Sequence, residues 1–250
     1  MIKFFRHIRR SLIQKNQMGK YFKYAIGEIL LVVIGILIAL AVNDQYNASK
    51  ENKMLQQYYV KILSEAEASI AYLQAQKNNR LNFNKQGIKA LNILRSKNKD
   101  SLSALLESLG VLKEMRSLAP SFPIIEEFLS QGYLSRITND SVKSGFHEFS
   151  EMYKFIGLVD NYTINQYQLQ IEPYLNLNFN YKDIAGAGYE AIAIAGGPSS
   201  NTENIWEDLQ LWNLISNKLE TWEYEKGAID WGIYVMEDLK RLIEKELIDD

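Results

Sequence analysis

The sequence predicts a mainly α protein: a basic amphipathic N-terminal helix, one transmembrane helix, then an extracytoplasmic helical bundle. Three observations predict it. Residues 25–42, AIGEILLVVIGILIALAV, form an apolar run interrupted only by Glu28. The stretch before it holds seven of the 28 Lys/Arg and none of the 30 Asp/Glu, an asymmetry that the net charge of −2 conceals. Beyond it, apolar residues recur at steps of three and four, the mark of helices buried on one face. The 250 residues contain no cysteine, which excludes disulfides, zinc–thiolate sites, iron–sulfur clusters and cysteine nucleophiles. Two histidines leave little material for a transition-metal site or a histidine base.

The chain opens on Met1, Ile2, Phe4, Phe5, Ile8 and Leu12 along one side of a helical wheel, with Lys3, Arg6, His7 and Arg10 along the other. A basic amphipathic helix of this kind lies on an anionic leaflet, so Lys3, Arg6, Arg9 and Arg10 are expected at the lipid surface. The apolar face and the tethered position favour lipid over nucleic acid. Gly19 is expected to bend the chain into the span. At about 1.5 Å per helical residue the apolar run covers roughly 27 Å, enough for a bilayer core. Tyr21, Phe22 and Tyr24 before it and Tyr46 after it suit the two interfaces. The positive-inside rule then places residues 1–23 in the cytoplasm, 24–43 in the membrane and 44–250 outside, which in a bacterium with two membranes means an inner-membrane anchor with a periplasmic domain. Ala39-Leu40-Ala41 has the form of a signal-peptidase site, but the basic region and the apolar run both exceed signal-peptide dimensions. An uncleaved signal anchor is the expectation, with cleavage at that tripeptide left open. Gly27, Leu31, Gly35 and Ala39 recur every four residues, a weak pattern for close helix approach. Glu28 reads either as an interfacial carboxylate paired with Lys20 or Lys23, or as a contact to a partner helix.

The stretches MIKFFRHIRRSL and MGKYFKYAIGEILLVVIGILIALAVND resemble the opening of an uncharacterised family of single-pass bacterial membrane proteins, the domain of unknown function 6090, common in Bacteroidota. The resemblance is specific over residues 1–45 and diffuse afterwards. Family members continue with a glutamine and then Asn-Asn-Trp, whereas Ala41-Val42-Asn43-Asp44-Gln45-Tyr46 stands here. The resemblance implies a single-pass topology, a bacterial origin and a helical outer portion. It implies no activity, cofactor or catalytic residue.

Residues 47–98 predict a long helix, with Leu55, Tyr59, Ile62, Ala66, Ile70 and Leu73 as its inner stripe, resumed at Leu81, Ile88, Leu91 and Leu94. Lys77 and Asn84 interrupt that stripe. A short helix is expected over 101–109, a loop at Ala119–Pro123, and a further helix over 124–131 ended by Gly132 in a left-handed conformation. Asn139 or Asp140 caps a longer helix reaching about Glu172, where Pro173 kinks or stops it. LNLNFNY at 175–181 alternates strictly and, with Glu190-AIAIA, predicts either a small β-hairpin near 175–195 or an extended surface loop. The last helix or helix pair spans about 203–247. Its expected inner face carries Ile205, Leu209, Trp212, Ile215, Leu219, Trp222, Ile229, Ile233, Met236, Leu239 and Ile243, with Gly227 and Gly232 as points of division.

Chemistry is sparse. Gly186-Ala-Gly188-Tyr-Glu-Ala191 matches the letters of a dinucleotide fingerprint without the alternating strands and helices such a site needs. His147 with Glu148 and Glu151 lacks the HExxH form, and Glu126-Glu127 is an ordinary carboxylate pair. No catalytic, cofactor-binding or metal residue is nominated. All four tryptophans lie between 206 and 231. Trp212 and Trp222 are assigned to packing, and Trp206 and Trp231 to a candidate partner surface, because tryptophan is enriched in binding hot spots. The functional expectation is a non-enzymatic membrane-anchored scaffold or interaction subunit, with a protein partner or a second copy, no nucleic acid and no cofactor. The alternative is a ligand-sensing periplasmic bundle that signals through a partner.

Overall fold

The computed structural model describes residues 18–185, 192 and 194–249. Among the described residues every regular element is helical and no strand occurs. The helices are α1 (Met18–Ser96), α2 (Leu102–Leu109), α3 (Pro123–Ser130), α4 (Asp140–Gln166), α5 (Glu172–Asn178) and α6 (Leu209–Asp249), and a π-helical turn, Tyr167–Ile171, joins α4 to α5. The chain divides after Gln57 into two compact units.

In the first unit, every side chain from Ile29 to Val42 is exposed. A helix surface that is apolar all round belongs in a protein interior or in a bilayer, and here none of the described residues covers it. This helix is long and apolar enough to cross a membrane. Lys3, Arg6, Arg9 and Arg10 lie outside the described residues. Glu28 is partly exposed, Gly19 is helical, and Ala39-Leu40-Ala41 sits within α1.

The second unit is a bundle built on two antiparallel helices, the outer part of α1 and α6. Lys240 meets Glu67, Lys77 meets Asp230, and the Asn84 amide donates to Glu223, each at 2.6 Å. Lys97 pairs with Glu207 farther along. The inner face of α1 runs Tyr59, Ile62, Ala66, Ser69, Leu73, Gln76, Arg80, Phe83, Gly87, Ala90 and Leu94, alternating steps of three and four over five heptads. All are buried except Phe83, which is partly buried. Leu81 and Ile88, expected on this face, are exposed instead. The α6 face follows the same rule through Leu211, Leu214, Lys218, Thr221, Glu225, Ala228, Gly232, Val235 and Leu239. Leu209 and Trp212, expected to point inward, are also exposed. Following the apolar letters off the heptad register produces these errors.

Gly227 and Gly232 do not divide α6. Gly232 serves contact: a β-carbon there would lie 3.1 Å from a Leu73 methyl. Gly87 does the same on α1, where a β-carbon would come within 2.9 Å of Leu219. Helix α4 packs along α6 and begins at Asn139, whose side chain accepts from the Ser141 and Val142 N–H groups, the expected cap. Gly132 takes the expected left-handed conformation, at φ 76°. The N-terminus of α3 lacks a cap of its own, and Glu65 of α1 supplies one, accepting from Ile124 and Ile125 N–H at 2.8 and 2.9 Å. Asp160 holds the preceding loop through the Leu118 N–H and the Ser117 hydroxyl.

LNLNFNY is not a strand. Its first residues complete α5; Leu175 within it and Phe179 just after it are buried, while Leu177 is 83% exposed. Pro173 suits the first turn of that helix, where no donor is required. The period-two lettering thus resolves as an i, i+4 pair. Half of the second arm of the expected hairpin, residues 190, 191 and 193, lies outside the described residues.

Candidate functional site

Two apolar cores and a polar layer between them follow from these registers. The first core is aromatic: Phe122 meets Phe149 at 4.8 Å between ring centres, Phe128 stacks on Phe146 at 4.9 Å, and Tyr59 and Met152 fill around them. The second joins Ala90, Leu94, Leu105, Leu109, Ile171, Leu175, Leu211 and Ile215. Where α1, α4 and α6 pass from one core to the other, each turns a polar side chain inward.

Arg80 is the hub of the layer. Its Nε donates to Glu225 Oε2 at 2.6 Å, its Nη1 to Gln76 Oε1 at 3.0 Å and its Nη2 to the Arg116 carbonyl at 2.8 Å. Both members of the ion pair are 2% exposed. The other Glu225 oxygen accepts from the Thr163 hydroxyl of α4 at 2.8 Å. One α4 turn later, Gln166 Nε2 donates to the Asn217 carbonyl, which also receives the Thr221 hydroxyl. Two atoms of the layer have no hydrogen bond to the described residues. They are Lys218 Nζ, in a side chain with no exposed surface, and Gln166 Oε1. Lys218 Nζ stands 5.9 Å from the centre of the Trp222 ring. Burial brings its pKa down from 10.5 to about 8; Glu225 pulls it back up and Arg80 pushes it further down. A polar layer in an otherwise apolar seam fixes register, because a slip would strand a charge against hydrocarbon.

The layer leads to an open groove of about 710 Å³ at the end of the bundle remote from Tyr58. One wall comes from the π-turn and α5, with Leu169, Gln170, Pro173, Tyr174, Leu177 and Asn178; the other from α6, with Leu209, Gln210, Asn213, Leu214 and Asn217. The π-turn has a chemical cause. Pro173 has no N–H to return to Leu169, and the helix passes it through a wider turn in which the Glu172 N–H donates to the Tyr167 carbonyl. The bulge presents Leu169 and Gln170 to the groove. Leu169, Leu177 and Leu209 are 74, 83 and 70% exposed. The Gln170, Gln210 and Asn213 side chains hold no hydrogen bond to the described residues, and no lining side chain is charged. Tyr174 is the titratable member; its hydroxyl donates to Asp208 at 2.6 Å, and burial with that bond pushes its pKa upward.

The residues singled out from sequence do not gather here. Trp206 packs, partly buried, on the second core, and Trp231 is partly buried edge-on against Phe155 at 5.5 Å. Trp222 is buried as expected, whereas Trp212 is 37% exposed. His147 is exposed, and the neighbouring Glu151 is held by Lys154 at 2.8 Å. Glu126 and Glu127 accept from the Tyr153 and Tyr58 hydroxyls. Gly186–Ala191 lies outside the described residues. Sequence reasoning missed Arg80, Lys218, Glu225 and the groove. The signal for the first three was present, since each falls on a three–four heptad position. The chain matches no family model, no curated protein and no solved structure.

Proposed function

We propose that this chain is a membrane-anchored helical interaction protein: residues 1–23 on the cytoplasmic surface of a bacterial inner membrane, 24–43 spanning it, and 44–250 a periplasmic bundle that holds another protein without catalysing a reaction. The observation that carries the reading is the all-round exposed apolar surface of Ile29–Val42, joined in one chain to a bundle with its own buried cores. The basic residues before the span support the orientation. The opening residues resemble a single-pass bacterial family of uncharacterised function, which supports the same topology. Arg80 and Glu225 are paired with each other, and the groove carries carboxamides and leucines; both favour docking over catalysis.

Because the chain has no cysteine, single cysteines at Ser11 and Ser199 give a clean topology test with a membrane-impermeant maleimide. Labelling at 199 in intact spheroplasts and at 11 only after lysis is expected; the reverse pattern overturns the orientation. Replacing Arg6, Arg9 and Arg10 by Glu should then disturb insertion. A tag after Asp250, with extraction of native membranes in mild detergent, tests the interaction: a stoichiometric companion is expected, and recovery of the chain alone counts against a scaffold.

A further inference from the structure

We propose that the outward face of α1 around Lys85 and Lys89 docks an acidic, amphipathic segment of a partner polypeptide. This rests on the reading of the chain as an interaction protein and names the surface and the chemistry of what it holds. The sequence separates charge along the chain. Residues 68–99 hold seven Lys/Arg and no Asp/Glu, whereas residues 100–250 hold 11 Lys/Arg against 25 Asp/Glu. The fold then divides the seven basic residues by direction. Three reach an acid near the end of the chain: Lys77 meets Asp230, Arg80 meets Glu225 and Lys97 meets Glu207. Lys85, Lys89 and Arg95 are exposed and form no ion pair with the described residues, although the acid-rich remainder of the chain has carboxylates to offer. Lys85 and Lys89 line a shallow groove of about 440 Å³ with Ile88, Asn92, Ile93 and Ser96.

Water satisfies each ammonium singly; what sets this face apart is their sum. Lys85 and Lys89 stand one helical turn apart, a spacing at which like charges repel. No carboxylate on this stretch of α1 cancels them, so the face carries a fixed positive field. Charge complementarity therefore selects an anionic occupant, which that field both steers to the face and holds there. The residue between the two lysines selects further. Ile88 is 52% exposed and lines the same groove, so the occupant must offer hydrocarbon beside its carboxylates. An acidic amphipathic peptide does so. A phosphate polymer does not, and a nucleic acid would call for an aromatic platform, whereas no aromatic side chain lines this groove. A neutral segment would leave the field unused.

The test uses the full chain in zwitterionic lipid nanodiscs. Because the chain has no cysteine, a fluorophore on Asn82→Cys, one turn before Lys85, reports on this face, and one on Asn161→Cys of α4 serves as the remote control. The probe is a synthetic amphipathic peptide of Glu, Leu and Ala, about six helical turns long. A second peptide carries Gln at every Glu, and polyphosphate stands for an anion that is not a peptide. Lys85→Gln with Lys89→Gln removes charge from the face, and Lys154→Gln with Lys182→Gln removes as much elsewhere. All four positions are exposed, and circular dichroism checks that the helices persist. Expected is a saturable response to the acidic peptide at 82 and none at 161. It should weaken at least ~10-fold in the Lys85 and Lys89 variant and again on raising salt from about 0.05 to 0.5 M, with the Lys154 and Lys182 variant unchanged. Equal binding of the Gln peptide or of polyphosphate, or unchanged affinity in the Lys85 and Lys89 variant, overturns the proposal. So does a signal at 82 that grows with protein concentration alone, which assigns the face to a second copy. The C-terminal tag experiment separates the two readings. A companion that co-purifies equally with wild type and the Lys85 and Lys89 variant, without peptide binding, sinks the face and leaves the scaffold. Variant-sensitive peptide binding without a companion does the reverse.

Discussion

The aromatic core and the polar layer both draw on α1 and α4, yet they hold the bundle by different physics. Around Phe122, Phe128, Phe146 and Phe149 rings meet rings, and removal of any one is expected to leave a hole that its neighbours fill only in part. Around Arg80 and Glu225, each group is stable only because the other is present, and the layer also buries a lysine with no hydrogen bond to the described residues. The aromatic core contributes affinity between helices; the layer contributes register. A layer of this kind can even lower stability while making one alignment of the helices the preferred one.

The largest effects separate these roles. Phe128→Ala should cost about 3–5 kcal/mol, and no single second substitution should restore it. Glu225→Leu alone should cost a similar ~3–5 kcal/mol, since it leaves the Arg80 guanidinium buried and unpaired. Adding Arg80→Met should recover most of that loss. Thermal and urea unfolding of the full chain in detergent measures both, and a double variant as weak as the single one would show that the layer does more than satisfy itself.

Lys218→Met comes next and has the opposite sign. A native pKa near 8 against 10.5 unfolded corresponds to a cost of about 3 kcal/mol for burying the ammonium. That cost is fully present below pH 8 and is relieved as pH rises from about 8 to 10.5, where the native lysine has lost its proton and the unfolded one still holds it. The variant should therefore exceed wild type by about 3 kcal/mol at pH 7, with the gap closing towards pH 10.5. A gap that does not change with pH would mean that the ammonium does not feel the layer.

Two hydroxyls give the smallest contrast. Thr163→Val removes a buried bond to Glu225 and should cost about 1–3 kcal/mol. Tyr153→Phe removes an exposed bond to Glu126 and should cost less than about 1 kcal/mol. Similar costs at both positions would erase the distinction between the layer and the bundle surface.

The helical class, the apolar span, the Asn139 cap and the Gly132 turn were legible in the sequence because each rests on local chemistry. The layer was not, although its positions obey the heptad. Gln76, Arg80, Lys218 and Glu225 look like surface residues when hydrophobic letters alone are followed, and Leu81, Ile88 and Trp212 then draw the inner face away from its true line. Their burial depends on partners far away in the chain, which no window along one helix reveals. The groove was hidden for a related reason. Alternation at 175–179 imitates a strand, and only the neighbouring helix turns Leu175 and Phe179 inward and leaves Leu177 outside. Glycine was misread in the same way: Gly232 marks where helices touch, not where one ends.

The antiparallel register of α1 and α6 also dictates an order of events. Arg80 and Glu225 are separated by 145 residues, and Glu67 and Lys240 by 173. A chain emerging N-terminus first presents Glu67 and Arg80 long before Lys240 and Glu225 exist, so the outer part of α1 must wait in water as an incomplete half of the seam. Helical bundles owe their speed to local contacts; this one closes its central seam only by its longest loops, and its rate-limiting step should be the late docking of α6.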